Sequence, residues 1–551
     1  MHFVPRPPIL EYFHRLFLPI SPVLSWFLLP EAREEENKII ALGEPRRTQA
    51  SVQIKRRKRE KRVDASPPTF VVTTLLTFLV AVFGNQMAEF LKIFYNADRN
   101  ASACLLLSKI PRRMARDEAS SSTTSSSSSP LQSFSKMPLS PWVQSLSSDE
   151  RGLYLIHLLV NCANHVAAGN LDAADAFLDH ISLLSCAAGD AMQRIAACFS
   201  DALARTVLRR TWRGLYRSLL LPTSVSAAAQ AAARRYFLTL LPFVRVAAAV
   251  SNQAILEAME GEKMVHIIDL DVSDPTQHLE LLRLFATRQE GPPHLRITGV
   301  HDNKEVLSQV ALCLTREAEK LDIPFQFNPI HSKLDHLDVE SLRVKTGEAL
   351  AINATLQLHR LLASNDQVGL MTNHFPSPDS VLSSSTSSSS FPSSKLDIFL
   401  ASLWSLSPKI MLVTEQEANH NTGTFVERFV ESINFYAALF DSLESNWPRH
   451  SAERARVEKE LLGEEVKDIL VGEGMERRER HERLERWVKR MEMVGFGKVG
   501  FSYYAMLHAR RVLQGFGCDG YKVKEDAAGC FLLCWQDRPL FSVSAWRCRR
   551  F

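Results

Sequence analysis

The chain lacks the glycine-rich turn that cofactor-binding α/β enzymes place after their first strand. The run Val265–Leu270 is apolar except for His266 and Asp269, as expected of a buried strand. The turn that follows contains no glycine and reads Asp271-Val272-Ser273-Asp274-Pro275-Thr276. Glycines in this turn let the backbone approach a nucleotide or S-adenosylmethionine closely. Side chains at 272–276 would crowd such a cofactor, so we predict no cofactor and no enzymatic activity.

Short catalytic and metal-binding motifs are also missing. There is no Ser-His-Asp signature, no HExxH motif and no phosphate-binding loop, and His157, His165 and His180 do not form a metal-binding spacing. The cysteines contain no CxxC pair and are scattered at positions 104, 162, 186, 198, 313, 518, 530, 534 and 548. We therefore predict no metal site and no disulfide framework, but reduced, buried thiols in an intracellular protein.

The positive charge of the chain is concentrated near its N-terminus. Residues 1–113 hold 18 Lys and Arg against 10 Asp and Glu, and the remaining residues carry a net charge of −4. Direct DNA binding depends on many contacts from Lys and Arg to phosphates. The charge distribution therefore argues against a large phosphate-binding surface in the globular part.

Residues 1–113 form a leader whose status the sequence leaves open. A basic run, 55–62, precedes the apolar run 69–84. Together they are typical of a signal anchor, although 16 residues is short for a bilayer span of roughly 20. The basic run is equally typical of a nuclear import signal. Two further alternatives are a poorly structured soluble leader and a main product that starts at Met114.

Two serine-rich stretches are predicted to be disordered, because they contain too little apolar surface to fold. The first is residues 114–148. The second lies within 364–395 and interrupts an otherwise ordered region, so we interpret it as a surface loop insertion.

From about residue 149 the apolar spacing is helical. Apolar residues recur every three or four positions in 151–185, with a break at Gly169-Asn170, and helical spacing continues through 190–208 and 224–261 with a break at Pro242. We predict a helical cap over 149–262.

Strand-like and helix-like segments alternate over 263–551, which predicts an α/β core with a mostly parallel sheet. The predicted strands are 264–270, 294–301, 323–330, 348–353 and 407–416, and the predicted helices are 274–288, 304–322, 354–362 and 425–443. Two further apolar strands within 530–546, joined by Gln-Asp-Arg-Pro, predict a C-terminal antiparallel β-hairpin that adds an edge strand. This arrangement is typical of a Rossmann-like, methyltransferase-like fold.

Several polar residues in the core region allow two interpretations. Asp269 and Asp271 either hold a cofactor ribose or act in acid/base chemistry, or they end the strand and cap the helix that follows. In the last case Asp271 or Ser273 accepts hydrogen bonds from free backbone amides. His266 is either a hydrogen-bonded core histidine or a functional residue. In the second strand, Asp302 occupies a position where a methyltransferase often binds ribose.

Two leucine motifs are candidates for partner binding. Leu155, Leu158 and Leu159 match the LxxLL pattern, as do the leucines of 358–362. On a helix this pattern presents three leucines on one face, which suits either a partner's groove or the protein core. The charge-rich segment 453–496 is typical of solvated helices whose apolar residues face the body of the protein.

From about residue 150 to its end, the chain resembles the GRAS domain of plant transcriptional regulators. Residues 323–353 are similar to the middle block of that family, and the scarecrow-like-three branch is the most similar. Two family motifs are matched residue by residue: the VHIID motif by Val265, His266, Ile267, Ile268 and Asp269, and the SAW motif by Ser544, Ala545 and Trp546.

The resemblance implies a nuclear protein that regulates transcription through other proteins and reaches DNA only indirectly. It implies partners among indeterminate-domain zinc-finger factors and DELLA-type GRAS proteins, and a setting in gibberellin signalling and root development. We expect the helical cap to bind partners, including a second GRAS chain, and do not expect a membrane to be involved. Two alternatives remain: a methyltransferase-like protein that binds a small molecule, and a regulator tethered to a membrane through 69–84.

Overall fold

The protein is described by a computed structural model that covers residues 146–219, 225–365 and 394–549. The leader 1–113 lies outside these ranges. So do the predicted disordered N-terminus, except for its last three residues, and the predicted loop insertion 364–395, except for its ends.

The residues before the sheet form helices whose ends are set by local sequence. Ser147 and Glu150 form a capping box at the start of the first helix, which ends at Gly169 in a left-handed conformation with φ of 78°. Asp190 and Gln193 form a second capping box. The helices are α1 (Ser148–Ala168), α2 (Leu171–Leu184), α3 (Ala191–Thr211), α4 (Arg213–Leu219), α5 (Ala227–Leu240) and α6 (Phe243–Ala258).

Within the described residues nine strands form one sheet in the order β3-β2-β1-β4-β5-β9-β8-β7, and β6 also pairs with β9. The first five strands are parallel. They are β1 (Met264–Asp269), β2 (His294–His301), β3 (Phe325–His331), β4 (Ala349–Thr355) and β5 (Ile410–Gln416). The helices between them are α7 (Thr276–Ala286), α8 (Lys304–Lys320) and α9 (Lys395–Ser405), and α10 (Phe425–Asn446) follows β5. The predicted fold class, an α/β fold with a mostly parallel sheet, an antiparallel hairpin and helices, is confirmed.

The central strands are apolar on both faces because helices cover both faces. Alternate residues of β1 enter different cores: Val265 and Ile267 pack with α6, α7 and α8, whereas Ile268 packs with α9 and α13 (Leu484–Val494). A third core joins the helices before the sheet to α10 and to the antiparallel strands.

The C-terminal part contains more elements than the sequence predicted. The hairpin of β8 (Phe531–Trp535) and β9 (Arg538–Cys548) is present, but β9 lies inside the sheet, between β5 and β8. The edge strand is β7 (Tyr521–Glu525). Neither β7 nor β6 (Phe496–Val499) nor α14 (Tyr503–Gln514) is predicted by the sequence pattern.

The predicted helix 354–362 is wrong. Strand β4 continues to Thr355, and a short 3₁₀ helix, Leu358–Asn365, follows it. Two other 3₁₀ turns, Leu334–His336 and Val339–Leu342, precede β4.

The charge-rich segment 453–496 begins with α11 (Ala452–Arg456), a π-helical turn (Val457–Leu462) and α12 (Gly463–Val471). After a 3₁₀ turn, Gly474–Glu476, the chain has no regular helix or strand until α13. The apolar residues expected to face the body of the protein are buried: Val457, Leu461, Leu462, Val466, Ile469, Leu470, Trp487 and Met491.

The cysteines of the described ranges are free thiols, but they are not uniformly buried. Cys162, Cys530 and Cys534 are buried, whereas Cys186 and Cys313 are exposed. Burial raises the pKa of the Cys162 thiol to about 12, so this thiol stays protonated at neutral pH.

Across the described ranges, no single helix combines the length and hydropathy needed to cross a membrane. Only α5 and α6 taken together meet these criteria, and the chain bends by 74° between them. The apolar run 69–84 lies outside the described residues.

Candidate functional site at the carboxyl ends of the strands

Asp269, the last residue of β1, is held inside the protein by polar side chains from neighbouring elements. His278 Nε2 on α7 lies 2.7 Å from Asp269 Oδ2, and Asn353 Nδ2 at the end of β4 donates to the same oxygen at 3.3 Å. The other carboxylate oxygen accepts the backbone amide of Asp271 at 3.0 Å. The acid is therefore partnered by the protein's own groups.

Asp271 lies in the turn after β1 and is bound by groups from three other parts of the chain. Gln357 Nε2 donates to it at 2.6 Å, His301 Nε2 is 3.6 Å away, and Arg234 on α5 is 3.9 Å away. Burial raises the pKa of Asp271 despite the nearby arginine.

The predicted capping of α7 by Asp271 or Ser273 is wrong. Helix α7 starts after Pro275, and its first amide, that of Thr276, donates to Asp274 Oδ1 at 2.8 Å. The carboxylate of Asp271 points instead toward Gln357.

The turn after β1 packs directly on β2. A Cβ atom on Gly299 of β2 would lie 2.4 Å from Val272 Cγ1 and 2.8 Å from Phe327 Cζ. Val272 itself is buried. The side chain of Val272 thus fills the space beside β2 that a glycine-rich turn would leave open.

A second polar group, the His359 cluster, lies at the ends of β4 and β5 and consists of His359, Glu415, Glu479, His481 and His420. His359 Nδ1 is 2.7 Å from Glu415 Oε2, and its Nε2 is 2.9 Å from Glu479 Oε2. His481 Nε2 lies 3.2 Å from the same Glu479 oxygen, and His481 Nδ1 lies 2.8 Å from His420 Nδ1. All three histidines are buried.

The electrostatics of the His359 cluster are set by competition between burial and ion pairing. Burial by itself would lower the pKa of His359, but Glu415 and Glu479 outweigh it and raise this pKa to about 9. Burial would raise the pKa of Glu479, but Arg360 and His359 hold it well below its ordinary value. Two nearby acids have raised pKa values, because they are buried and close to the Glu479 charge: Glu465, at about 7, and Asp468, at about 6.

Comparison with known proteins identifies the family of this chain. A model of the GRAS domain family matches residues 155–547. Scarecrow-like protein 3 of Arabidopsis thaliana is 52% identical over 469 residues, which cover 77% of this chain and 97% of that protein. The chain belongs to the GRAS family.

Other GRAS proteins extend the comparison. The GRAS family protein TF80 of Medicago truncatula is 40% identical, over 74% of this chain and 98% of that protein. DELLA protein RGL1 of Arabidopsis thaliana is 36% identical, over 74% of this chain and 72% of that protein. The crystal structure of SCL7 from Oryza sativa superposes with a TM-score of 0.59 at 28% identity, covering 71% of this chain and 99% of that one.

The VHIID motif of this GRAS domain lies on β1, in the interior of the sheet. His266 is fully buried, with Nε2 2.8 Å from Thr298 Oγ1 and Nδ1 3.3 Å from Glu348 Oε2. Arg296 also contacts the ring and pairs with Glu348. Burial, followed by the charge of Arg296, lowers the pKa of His266 to about 4. His266 is therefore a hydrogen-bonded core histidine.

The SAW motif lies on β9, which pairs with β5. Trp546 Nε1 donates to Ser544 Oγ at 2.9 Å, and Ser544 Oγ donates to the carbonyl oxygen of Val413 on β5 at 3.4 Å. Ser544, Ala545 and Trp546 are all buried. The motif thus joins the antiparallel hairpin to the parallel strands.

The three leucines of the first LxxLL motif, Leu155, Leu158 and Leu159, are buried in the core formed with α2, α3 and α10. The leucines of 358–362 are buried as well. Both motifs pack the interior and offer no leucine face to a partner in this structure. An interaction role for the first motif would require α1 to leave the core.

The His359 cluster is not predicted from the sequence. His359 stands out there only as part of a leucine motif, and the density of charges predicts a solvated helix face over residues 477–483. In the structure this segment is an irregular loop, and Arg480, His481 and Glu482 are buried. The signal in the sequence was the density of acids and bases around His481, but spacing alone does not reveal which charges are buried.

Proposed function

We propose that this GRAS protein is a nuclear transcriptional co-regulator that acts through protein–protein contacts, in gibberellin signalling and root development. The observation that carries the proposal is its 52% identity to Scarecrow-like protein 3 over 97% of that protein's length. DELLA proteins and the protein SCARECROW are further relatives. The proposed partners are indeterminate-domain zinc-finger factors and DELLA-type GRAS proteins, through which the chain reaches DNA indirectly.

The strand ends support a non-enzymatic role. In methyltransferase-like folds a cofactor would lie beside the turn after β1. Here that turn packs on β2 through Val272, and Asp269 and Asp271 are engaged by other side chains. The same crevice would have to open before it could bind a cofactor.

The helices before the sheet are the proposed partner surface, and they offer exposed apolar side chains. Trp212, at the end of α3, is 60% exposed, and Leu215 on α4 is 47% exposed. Large exposed aromatic side chains are frequent anchors in protein interfaces. We infer that Trp212 and Leu215 contribute to partner binding, including association with a second GRAS chain.

The test is a pull-down from plant nuclear extract with the full chain as bait, analysed by mass spectrometry. Deleting whole helices would be uninformative, because α1 and α3 form part of the core with α10. We therefore propose the variant W212A/L215A, with M493A as control, since Met493 is 81% exposed on α13. Zinc-finger or GRAS partners should be retained by the wild type and by M493A, and reduced in the double variant.

The opposite outcome would favour the methyltransferase-like alternative. If no transcription factor is retained while S-adenosylmethionine raises the melting temperature of the full chain, the co-regulator proposal fails. Cell fractionation of the full-length protein tests the proposed nuclear localisation. Recovery in the membrane fraction would favour the tethered alternative.

A further inference from the structure

We propose that His359 Nε2, Glu479 Oε2 and His481 Nε2 together form a binding site for a zinc-class divalent metal ion. The three residues come from two segments about 120 positions apart, the 3₁₀ helix after β4 and the irregular loop before α13. Among the described residues, this is the group of histidine, cysteine and acidic side chains whose ligand atoms all lie within 4.8 Å of one another. The site lies outside the VHIID and SAW motifs.

The two distances from the Glu479 oxygen to the histidine nitrogens are close to those between ligands of a tetrahedral ion. Glu479 Oε2 is 2.9 Å from His359 Nε2 and 3.2 Å from His481 Nε2. Ligands at about 2.0–2.1 Å from a tetrahedral zinc ion are separated by roughly 3.3 Å. Two imidazoles and one carboxylate form a donor set that zinc and neighbouring transition metals prefer, whereas calcium and magnesium prefer oxygen ligands.

The second observation is the unpartnered nitrogen of His481. This side chain is fully buried, and within the described residues its Nε2 has no hydrogen-bond partner, although Glu479 Oε2 is only 3.2 Å away. The lone pair of His481 Nε2 and the Glu479 oxygen, 3.2 Å apart, are suited to binding a common cation.

Hydrogen-bond partners orient both rings, and the ion would replace the proton that His359 Nε2 shares with Glu479. His481 Nδ1 lies 2.8 Å from His420 Nδ1, and we assign the proton between them to His481, which leaves its Nε2 free to bind a metal. Glu415 Oε2 accepts a hydrogen bond from His359 Nδ1 at 2.7 Å. Histidines that bind a metal commonly donate their other ring nitrogen to a carboxylate in this way. The remaining oxygen of Glu415 accepts the backbone amide of Leu358 at 2.8 Å, so this acid is fixed in place.

Arg360 pairs with only one oxygen of Glu479, so the other oxygen, Oε2, is available to the ion. Arg360 Nη2 lies 3.4 Å from Glu479 Oε1, whereas both histidines approach Oε2. The side chain of Glu479 is 12% exposed and that of His359 2% exposed, so the site is nearly closed. With three protein ligands, the fourth position of a tetrahedral ion would be taken by water or another ligand, and the ion would tie the segment before α13 to the end of β4.

The experiment uses the untagged full chain, stripped of metal with a chelator and titrated with Co²⁺. We expect one equivalent of Co²⁺ to bind, with the visible absorption of a low-coordinate cobalt site, and Zn²⁺ to displace it and raise the melting temperature. The variant H481Q should bind at least about tenfold more weakly, by analogy with losses at metal-site residues. The control H278Q removes a buried histidine that is bound to a carboxylate elsewhere, and should leave Co²⁺ binding unchanged.

The variant H481C distinguishes loss of a ligand from loss of folding. A cysteine at this position supplies a thiolate ligand, so Co²⁺ binding should persist and gain a sulfur-to-cobalt charge-transfer band. Circular dichroism establishes which variants are folded, and if H481Q does not fold, H481C decides alone. The proposal is overturned if the folded wild type takes up no stoichiometric Co²⁺, if H481Q binds as the wild type does, or if H481C shows no sulfur-to-cobalt band.

Discussion

Arg194 on α3 donates from Nε to Glu458 Oε2 at 2.8 Å, across 264 positions of the chain. The other oxygen of Glu458 accepts from Arg454 Nε at 2.9 Å. Both arginines also pair with Glu444 on α10. This buried network fixes the helices before the sheet to the charge-rich segment. The sequence predicted contact between that segment and the body of the protein only from its apolar residues, and not these ion pairs.

The first prediction concerns Glu458→Gln. The amide keeps the shape of the side chain but removes its charge, which leaves two buried guanidinium groups with Glu444 as their remaining acid. Breaking a buried ion pair from one side costs about 3–5 kcal/mol. Urea unfolding of the full chain should therefore show a loss of about 3 kcal/mol or more in the free energy of unfolding.

Glu485→Gln is the matched control. Glu485 pairs with Lys489 on the surface, where their side chains are 79% and 67% exposed. Exposed pairs contribute about 0–1 kcal/mol, so the control should change stability little. Equal small losses in both variants would contradict the buried network.

The second prediction concerns the contact between the turn after β1 and β2. In G299A the new methyl group would lie 2.4 Å from Val272 Cγ1, so the turn or β2 must shift. Overpacking of this kind costs about 1–3 kcal/mol. Thermal unfolding should show destabilisation by G299A, and the added change V272A should recover part of it, so that the two changes are not additive.

Gly423 provides the control for this prediction. A Cβ atom on Gly423 meets nothing within 4 Å, so G423A should leave stability nearly unchanged. If G299A were as neutral as G423A, the turn would not rest on β2 as described, and the crevice would be open to a ligand.

The third prediction concerns Trp535 on β8 and Asp441 on α10. Trp535 Nε1 donates to Asp441 Oδ2 at 2.7 Å. Burial raises the pKa of Asp441, and the hydrogen bond from Trp535 opposes this rise. In W535F the buried acid loses its donor, which costs about 1–3 kcal/mol.

A double-mutant cycle separates the hydrogen bond from the packing of the indole. Replacing the acid as well, in W535F/D441N, should recover part of the lost stability, because a neutral amide tolerates burial better than a carboxylate. Additive effects in the urea unfolding of the two single variants and the double variant would contradict this coupling.

Local patterns were enough to predict most of the sheet and its helices. Strand β2 and helix α10 start where the sequence predicted, because buried strands and amphipathic helices have distinct apolar spacings. Strand β6 has only four residues and β7 is mostly exposed, so neither produces a clear pattern. The residues 354–362 fit helical spacing, but β4 extends into them.

The candidate site was less accessible to sequence reasoning. Asp269 was identified because it ends an apolar strand, but its partner His278 depends on how α7 packs. His359 and Glu479 are 120 positions apart and come together through the order of the strands. No local spacing encodes such a contact, and charged residues in a row do not show which of them are buried.

The last prediction concerns the pH dependence that His266 contributes. The groups around its ring are Arg296, Glu348, Lys345 and the Thr298 hydroxyl. The folded-state pKa of about 4 is below the ordinary value of 6.5, so folding favours the neutral ring. Its contribution to stability is therefore complete above about pH 6.5 and is lost as the pH falls toward 4.

His266→Gln should remove this pH dependence. The free energy of unfolding of the wild type should fall more steeply between pH 6.5 and 4 than that of the variant, by a difference on the order of 1–3 kcal/mol. The control H336Q removes a histidine whose side chain is 76% exposed and should keep the wild-type slope. Parallel curves for wild type and H266Q would contradict the lowered pKa, and would show that solvation of the ring or its pairing with Glu348 offsets the effect of burial.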